Sequence, residues 1–185
     1  MQEGIVQLYD RDDRRKFLTA RERAAFLDTA YEAPARERSL CQVMAHTGCL
    51  PAEIVEITAA DIDRQGDAIF IGARDGHERA VPVPAEVIQA VDIIHGISRA
   101  QERDDRGASV RLWPVHRGSV SRWVDRLMKK ADIHGPQAST RGLRYGFLVQ
   151  KLEEGIPMDT VAQWLGLTTE GYARELGGQD RNQSE

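Results

Sequence analysis

The stretch Ser139-Thr-Arg-Gly-Leu-Arg-Tyr-Gly-Phe147, read with the later Thr160-Val-Ala-Gln-Trp-Leu-Gly-Leu-Thr-Thr-Glu-Gly-Tyr172, decides how this chain is understood. Apolar spacing predicts helices over 140–154 and 158–166 and a short one over 169–176. At about 100° per residue, Arg141, Arg144 and Lys151 fall on one face of the first of these. Much of Leu143, Phe147 and Leu152 lies opposite. Three cations on one face suit a row of phosphates. Arg144 pairing with an acidic neighbour is the plainer alternative.

The charge map supports a local anion site within an acidic protein. The 185 residues carry a net charge of −4. Between Arg106 and Lys151 stand ten basic residues and only Asp125 and Asp132, a surplus of +8 that leaves −12 elsewhere. Arg117 and Arg122 belong to this basic segment and join the candidate phosphate contacts. A polarised map can bind phosphate locally despite the acidic total. A solvated helix face would carry the same residues.

Working outward, the other elements are mostly helical. Residues 1–17 are polar and read as an exposed arm. Thr19-Ala-Arg-Glu22 is a capping box opening a helix to about Tyr31. Pro34 opens a second helix that stops near Gly48, and Pro51 a short one through Ile57. Ala68–Ile71 and Ala80–Val83 flank the turn-forming Arg74-Asp-Gly-His77 and make a hairpin. Pro82 and Pro84 put its second strand at a sheet edge. A helix is expected from Ala85 to Gln101, a loop from Gln101 to Ala108, and a helix from Ser119 to Ala131. Val120, Trp123, Val124 and Leu127 form the core stripe of the last, so Trp123 reads as core rather than as a base-stacking platform. Residues 177–185 read as a tail. Cys41 and Cys49 read as buried thiols. No apolar run is long enough to span a bilayer, and the N-terminus has no signal pattern. A cytoplasmic protein without membrane, metal or cofactor is expected.

These boxes, in this order, resemble the catalytic domain of the tyrosine recombinases, the phage-integrase family. The resemblance covers about residues 18 to 172, within a domain of 18–176. It implies a mainly α fold with a small antiparallel β-hairpin or sheet. It also implies DNA as ligand and a mobile-element, plasmid or phage setting. Thr47-Gly, Glu53 and Asp61-Ile-Asp63 match the first box, but the family's first catalytic arginine falls on Leu50. A leucine cannot donate to a scissile phosphate. Arg74 stands nearest the family's hairpin lysine, with His77 and Arg79 close by. Arginine is a fixed cation and a poor proton donor, so Arg74 is a phosphate contact or a plain charge at the hairpin tip.

The second box keeps Arg144 and Phe147, whereas Arg141 and Tyr145 replace histidines. Leu167 stands where the family has histidine or tryptophan. The family's nucleophilic tyrosine lies further along than Tyr172, which is five residues past Leu167. Tyr172 is therefore either a displaced nucleophile or a packing residue. The separate N-terminal DNA-clamping domain of many relatives has no place in front of residue 18.

The reading that results is a DNA-binding protein on a recombinase-like fold, with Arg74, His77, Arg79, Arg117, Arg122, Arg141, Arg144 and Lys151 as DNA contacts. It would be an accessory or regulatory factor that no longer cuts DNA, and would associate with itself or with a recombinase. One alternative is an active recombinase using Tyr172, with Arg144 as its remaining catalytic arginine. Another is a helix-turn-helix regulator built on Val161–Leu176, with Ala162 and Gly166 at the small positions. A protein-interaction module is the last.

Overall fold

The computed structural model describes residues 8–72, 78–103 and 105–167. The helix expected over 169–176, the tail 177–185 and residues 1–7 of the arm lie outside the described residues.

Helix α1 (Ala20–Tyr31) opens on the expected capping box, with Thr19 and Glu22 bonded reciprocally. Helix α2 (Ala35–Thr47) ends on Gly48 in the left-handed conformation, φ 65°. Its inner face buries Leu40, Cys41, Val43, Met44 and Ala45. This helix packs against α1 and against the later helices Ala85–His95 and Thr140–Glu153, and is the centre of the core. Cys41 and Cys49 are free and buried, and burial pushes both thiols up to about 12, so neither is a nucleophile.

Helix α3 (Pro51–Ile54) is shorter than expected. Beyond it the chain turns to bury Val55 and Ile57, and the Ile57 carbonyl accepts from Leu112 N at 3.0 Å. A long-range pairing has taken the backbone that a longer helix would have used. A 3-10 turn (Ala59–Asp61) leads into β1 (Ile62–Asp63), a strand too short to leave a periodic signature. It pairs antiparallel with β2 (Ala68–Ile71), which pairs with β3 (Arg79–Pro82). The order β1-β2-β3 leaves β3 at an edge, as its prolines require. Ile69, Ile71 and Val81 point into the core.

The helix expected from Ala85 to Gln101 is two, α4 (Ala85–His95) and α5 (Ile97–Arg103). Gly96 breaks it with φ 66°, and Asp92 caps the restart by accepting from Ser98 N at 2.7 Å. The expected loop 101–108 is helical through Arg103 and again in α6 (Asp105–Ala108). Helix α7 (Arg117–Lys130) buries Val120, Val124 and Leu127, with Trp123 half-buried against the core. Trp113, in the segment before it, is among the largest fully buried side chains, its indole N–H bonded to Arg36 O and Ser39 Oγ. Helices α8 (Thr140–Glu153) and α9 (Met158–Leu165) stand where the apolar spacing puts them.

Residues 8–17 are not a free arm. Lys16 N donates to Leu8 O at 2.8 Å and Asp10 N to Arg14 O at 2.9 Å, folding the segment back on itself. Leu8 packs on the core, and Leu18 is buried beside Gly146 of α8. A polar sequence concealed this, because backbone pairing needs no apolar side chains.

Candidate phosphate-contacting site

Three helix ends converge where α2 stops, α3 begins and α9 stops. Gly48 closes α2 in a position that admits no side chain. A Cβ there would sit 2.6 Å from Leu165 Cδ2 and 2.9 Å from Phe147 Cδ1. Glu53 accepts from Leu50 N at 2.7 Å, fixing the start of α3. Leu50 itself is 43% exposed.

Two buried guanidinium groups bind these ends together. Arg144 donates through Nη1 to Gly48 O at 2.8 Å and through Nη2 to Leu165 O at 2.7 Å. Arg79 donates through Nε to Trp164 O at 2.6 Å and through Nη2 to Glu53 Oε1 at 2.9 Å. Trp164 and Leu165 end α9, so both cations sit on carbonyls that a helix leaves without intrahelical partners. The helix dipole favours positive charge there. Gly166 follows with φ 67°, and a Cβ on it would lie 3.2 Å from Arg79 Nη1. Burial lowers the pKa of Arg144, and the charge of Glu53 opposes that shift. The group remains a cation. Two buried cations against one carboxylate leave a positive excess beside the exposed Leu50.

The expectation of three cations on one open face of α8 is therefore corrected. Only 9% of Arg144 is accessible, because α8 is buried around most of its circumference, at Gly142, Leu143, Gly146, Phe147 and Leu148 as well. A helical wheel cannot find a charged inner residue on a helix enclosed by neighbours. Arg141 is exposed at the first turn. Lys151 is half-buried, with its ammonium 2.6 Å from Glu154 Oε2 and over the Phe147 ring. Arg79 is likewise corrected. It is a buried partner of Glu53, not an open hairpin cation, and its place in β3 gave no sequence cue to that partner. Arg117 and Arg122 are exposed on α7, with Arg122 Nη2 bonded to Ser119 Oγ at 2.8 Å. Arg74, His77 and Tyr172 lie outside the described residues. Leu167 is half-buried against the core, continuing the turn after α9 through its N–H to Ala162 O. Val161 and Ala162 are buried and Gly166 ends α9 in the left-handed conformation, but the recognition helix of the helix-turn-helix reading falls outside the described residues. No described helix is long and apolar enough to cross a membrane.

A small three-stranded antiparallel sheet within a mainly helical domain is the architecture of a tyrosine-recombinase catalytic domain. The model of the phage integrase family matches residues 16–173, and the chain belongs to that family. It is 28% identical over 137 residues to a tyrosine recombinase XerD-like protein of Streptococcus sanguinis (strain SK36), covering 72% of this chain and 51% of the relative. It is 23% identical over 145 residues to the tyrosine recombinase XerC of Erythrobacter litoralis (strain HTCC2594), covering 75% of this chain and 45% of the relative. The chain thus spans about half the length of these curated relatives. Among solved structures, the XerA recombinase matches with a TM-score of 0.69 at 20% identity, over 99% of this chain and 68% of that one. The XerH recombinase bound to its difH substrate matches with a TM-score of 0.72 at 16% identity, over 94% and 59%. The lambda integrase catalytic core matches with a TM-score of 0.59 at 22% identity, over 82% and 91%.

Proposed function

We propose that this chain is a DNA-binding member of the family that does not itself cleave DNA. It acts as an accessory or regulatory factor in recombination or integration, in the setting of a mobile element. The carrying observation is Leu50. An exposed aliphatic side chain occupies the position of the first catalytic arginine, beside an Arg144 whose guanidinium already bonds two main-chain carbonyls. In-line attack on a phosphodiester needs donors aimed at the non-bridging oxygens. Leucine offers none at one corner, and Leu167 offers none at another.

DNA binding rests on exposed Arg117, Arg122 and Arg141, together with Arg74 and His77, which stand between β2 and β3 in the sequence. It is also supported by relatives of the same fold held on DNA, such as XerH on difH and lambda integrase on its core site. Lambda integrase forms a tetramer on a Holliday junction, which favours self-association or pairing with an active recombinase here. Such a factor would work in the cytoplasm on nucleoid or plasmid DNA.

The test joins binding and chemistry. Fluorescence anisotropy with duplex DNA over a salt series should show binding that weakens with salt, by a slope of about −0.9 per phosphate contacted. A nicked suicide substrate should yield no covalent protein–DNA adduct. An adduct that disappears in Tyr172→Phe would establish the active-recombinase reading instead. Absence of binding at low salt would leave a protein-interaction module.

A further inference from the structure

Glu22, in the first turn of α1, does more than a helix cap requires. A capping box uses the carboxylate to hold the cap residue's own N–H. Here Oε2 does this, accepting from Thr19 N at 2.8 Å. The other oxygen reaches away from the helix. Oε1 accepts from Gln137 Nε2 at 3.0 Å, and Arg15 spans both oxygens at 2.5 Å and 3.1 Å. Partial burial by itself would raise the carboxyl's pKa. The bonds from Arg15, Thr19 N and Gln137 outweigh it and hold the group down at about 2. One ionised side chain thus joins the segment before α1 to the loop before α8.

That loop sets the start of α8. Gln137 is buried, and its amide also donates to His134 O at 2.9 Å. Its main-chain carbonyl accepts from Ser139 N at 2.8 Å, and Ser139 Oγ caps α8 by accepting from Gly142 N at 3.2 Å. The same carbonyl lies against Gly142 so closely that a Cβ there would fall 1.7 Å from it. From the opposite side, Leu18 N donates to Gly142 O at 3.1 Å. The first turn of α8 is gripped from two directions, and both grips lead back to Glu22. The exposed residue of that turn is Arg141.

We infer that Glu22 and Gln137 are positioning residues for Arg141: they fix the angle at which the N-terminus of α8 presents that guanidinium to a DNA phosphate. This deepens the DNA-binding reading and rests on it. A surface arginine on a loosely held helix end spends part of its time misaligned, whereas supporting hydrogen bonds lock the contact geometry. Neither Glu22 nor Gln137 touches DNA in this scheme.

The test compares wild type, Gln137→Met, Arg141→Ala and the double variant by anisotropy on duplex DNA. Gln137→Met should weaken binding about fivefold, the loss of roughly one ordinary hydrogen bond. It should leave the salt slope near wild type and have no further effect once Arg141 is alanine. An equal loss in both backgrounds would mean a merely structural role and would overturn the inference. Backbone amide shifts of Arg141, Gly142 and Leu143 give a readout without DNA. They should move in Gln137→Met and in Glu22→Gln, which keeps the capping box intact. If they stay in place, the inference fails whatever the DNA result. If wild type binds no DNA, the DNA reading alone falls, and the amide shifts still decide whether the network orients α8.

Discussion

Glu53→Gln is the perturbation whose size the structure specifies best. Glu53 contacts Arg79 Nη2 with both oxygens, at 2.9 Å and 3.0 Å, and accepts from Leu50 N at 2.7 Å. The side chains of Arg79 and Glu53 are 6% and 15% accessible. Gln preserves the shape and one acceptor, but it leaves Arg79 and Arg144 as neighbouring buried cations without a counter-charge. Breaking a buried pair from one side costs roughly 3–5 kcal/mol. The acceptor that Gln retains returns about 1 kcal/mol. The expected loss is therefore about 3 kcal/mol, or a Tm drop of roughly 6–12 °C for a domain of this size. Urea unfolding followed by circular dichroism measures it, with the slope m unchanged. In an Arg79→Met background the same substitution should cost less than half as much, because one of the stranded cations is gone. A loss under about 1 kcal/mol, or one of equal size in the two backgrounds, would refute the claim that Glu53 neutralises this junction.

Three further perturbations have outcomes set by the packing and charges of the same domain. Gly142→Ala places a Cβ 1.7 Å from the Gln137 main-chain oxygen, so α8 must shift. Thermal unfolding should show a destabilisation above about 3 kcal/mol, and a near-neutral result would mean the loop before α8 yields easily. Burial, reinforced by Arg23 and Lys151, pushes His46 down to about 4 from an ordinary 6.5, and its Nδ1 lies 3.1 Å from Arg23 Nη2. The folded state holds this ring neutral, so its contribution is present above pH 6.5 and is lost as pH falls toward 4. Urea midpoints between those pH values should fall less steeply in His46→Gln, and an unchanged pH profile would refute the assignment. Arg141→Ala should reduce the salt slope of DNA binding by about 0.9, whereas loss of affinity with an unchanged slope would mean that Arg141 contacts no phosphate.

The sequence alone determined the edge hairpin, the family and most of the described helices, because these depend on local signals; the early end of α3, the break at Gly96 and α6 were not legible in it. Thr19 and Glu22 announce a cap three residues apart in the chain, Pro82 and Pro84 mark an edge by their missing donors, and Gly48 ends a helix by its backbone freedom. The ordered boxes around Thr47, Arg144 and Leu165 likewise lie in plain text, and so does the leucine at position 50. Tertiary structure decided which cations are available. Arg79 and Arg144 look like Arg117 and Arg141 in a string of letters. What separates them is burial against Glu53 and against the carbonyls of Gly48, Trp164 and Leu165, whose partners are remote along the chain. Charge is a property of a residue, but its availability to a phosphate depends on what already surrounds it. That is set by packing among α2, α3, α8 and α9, which no period along a single helix records.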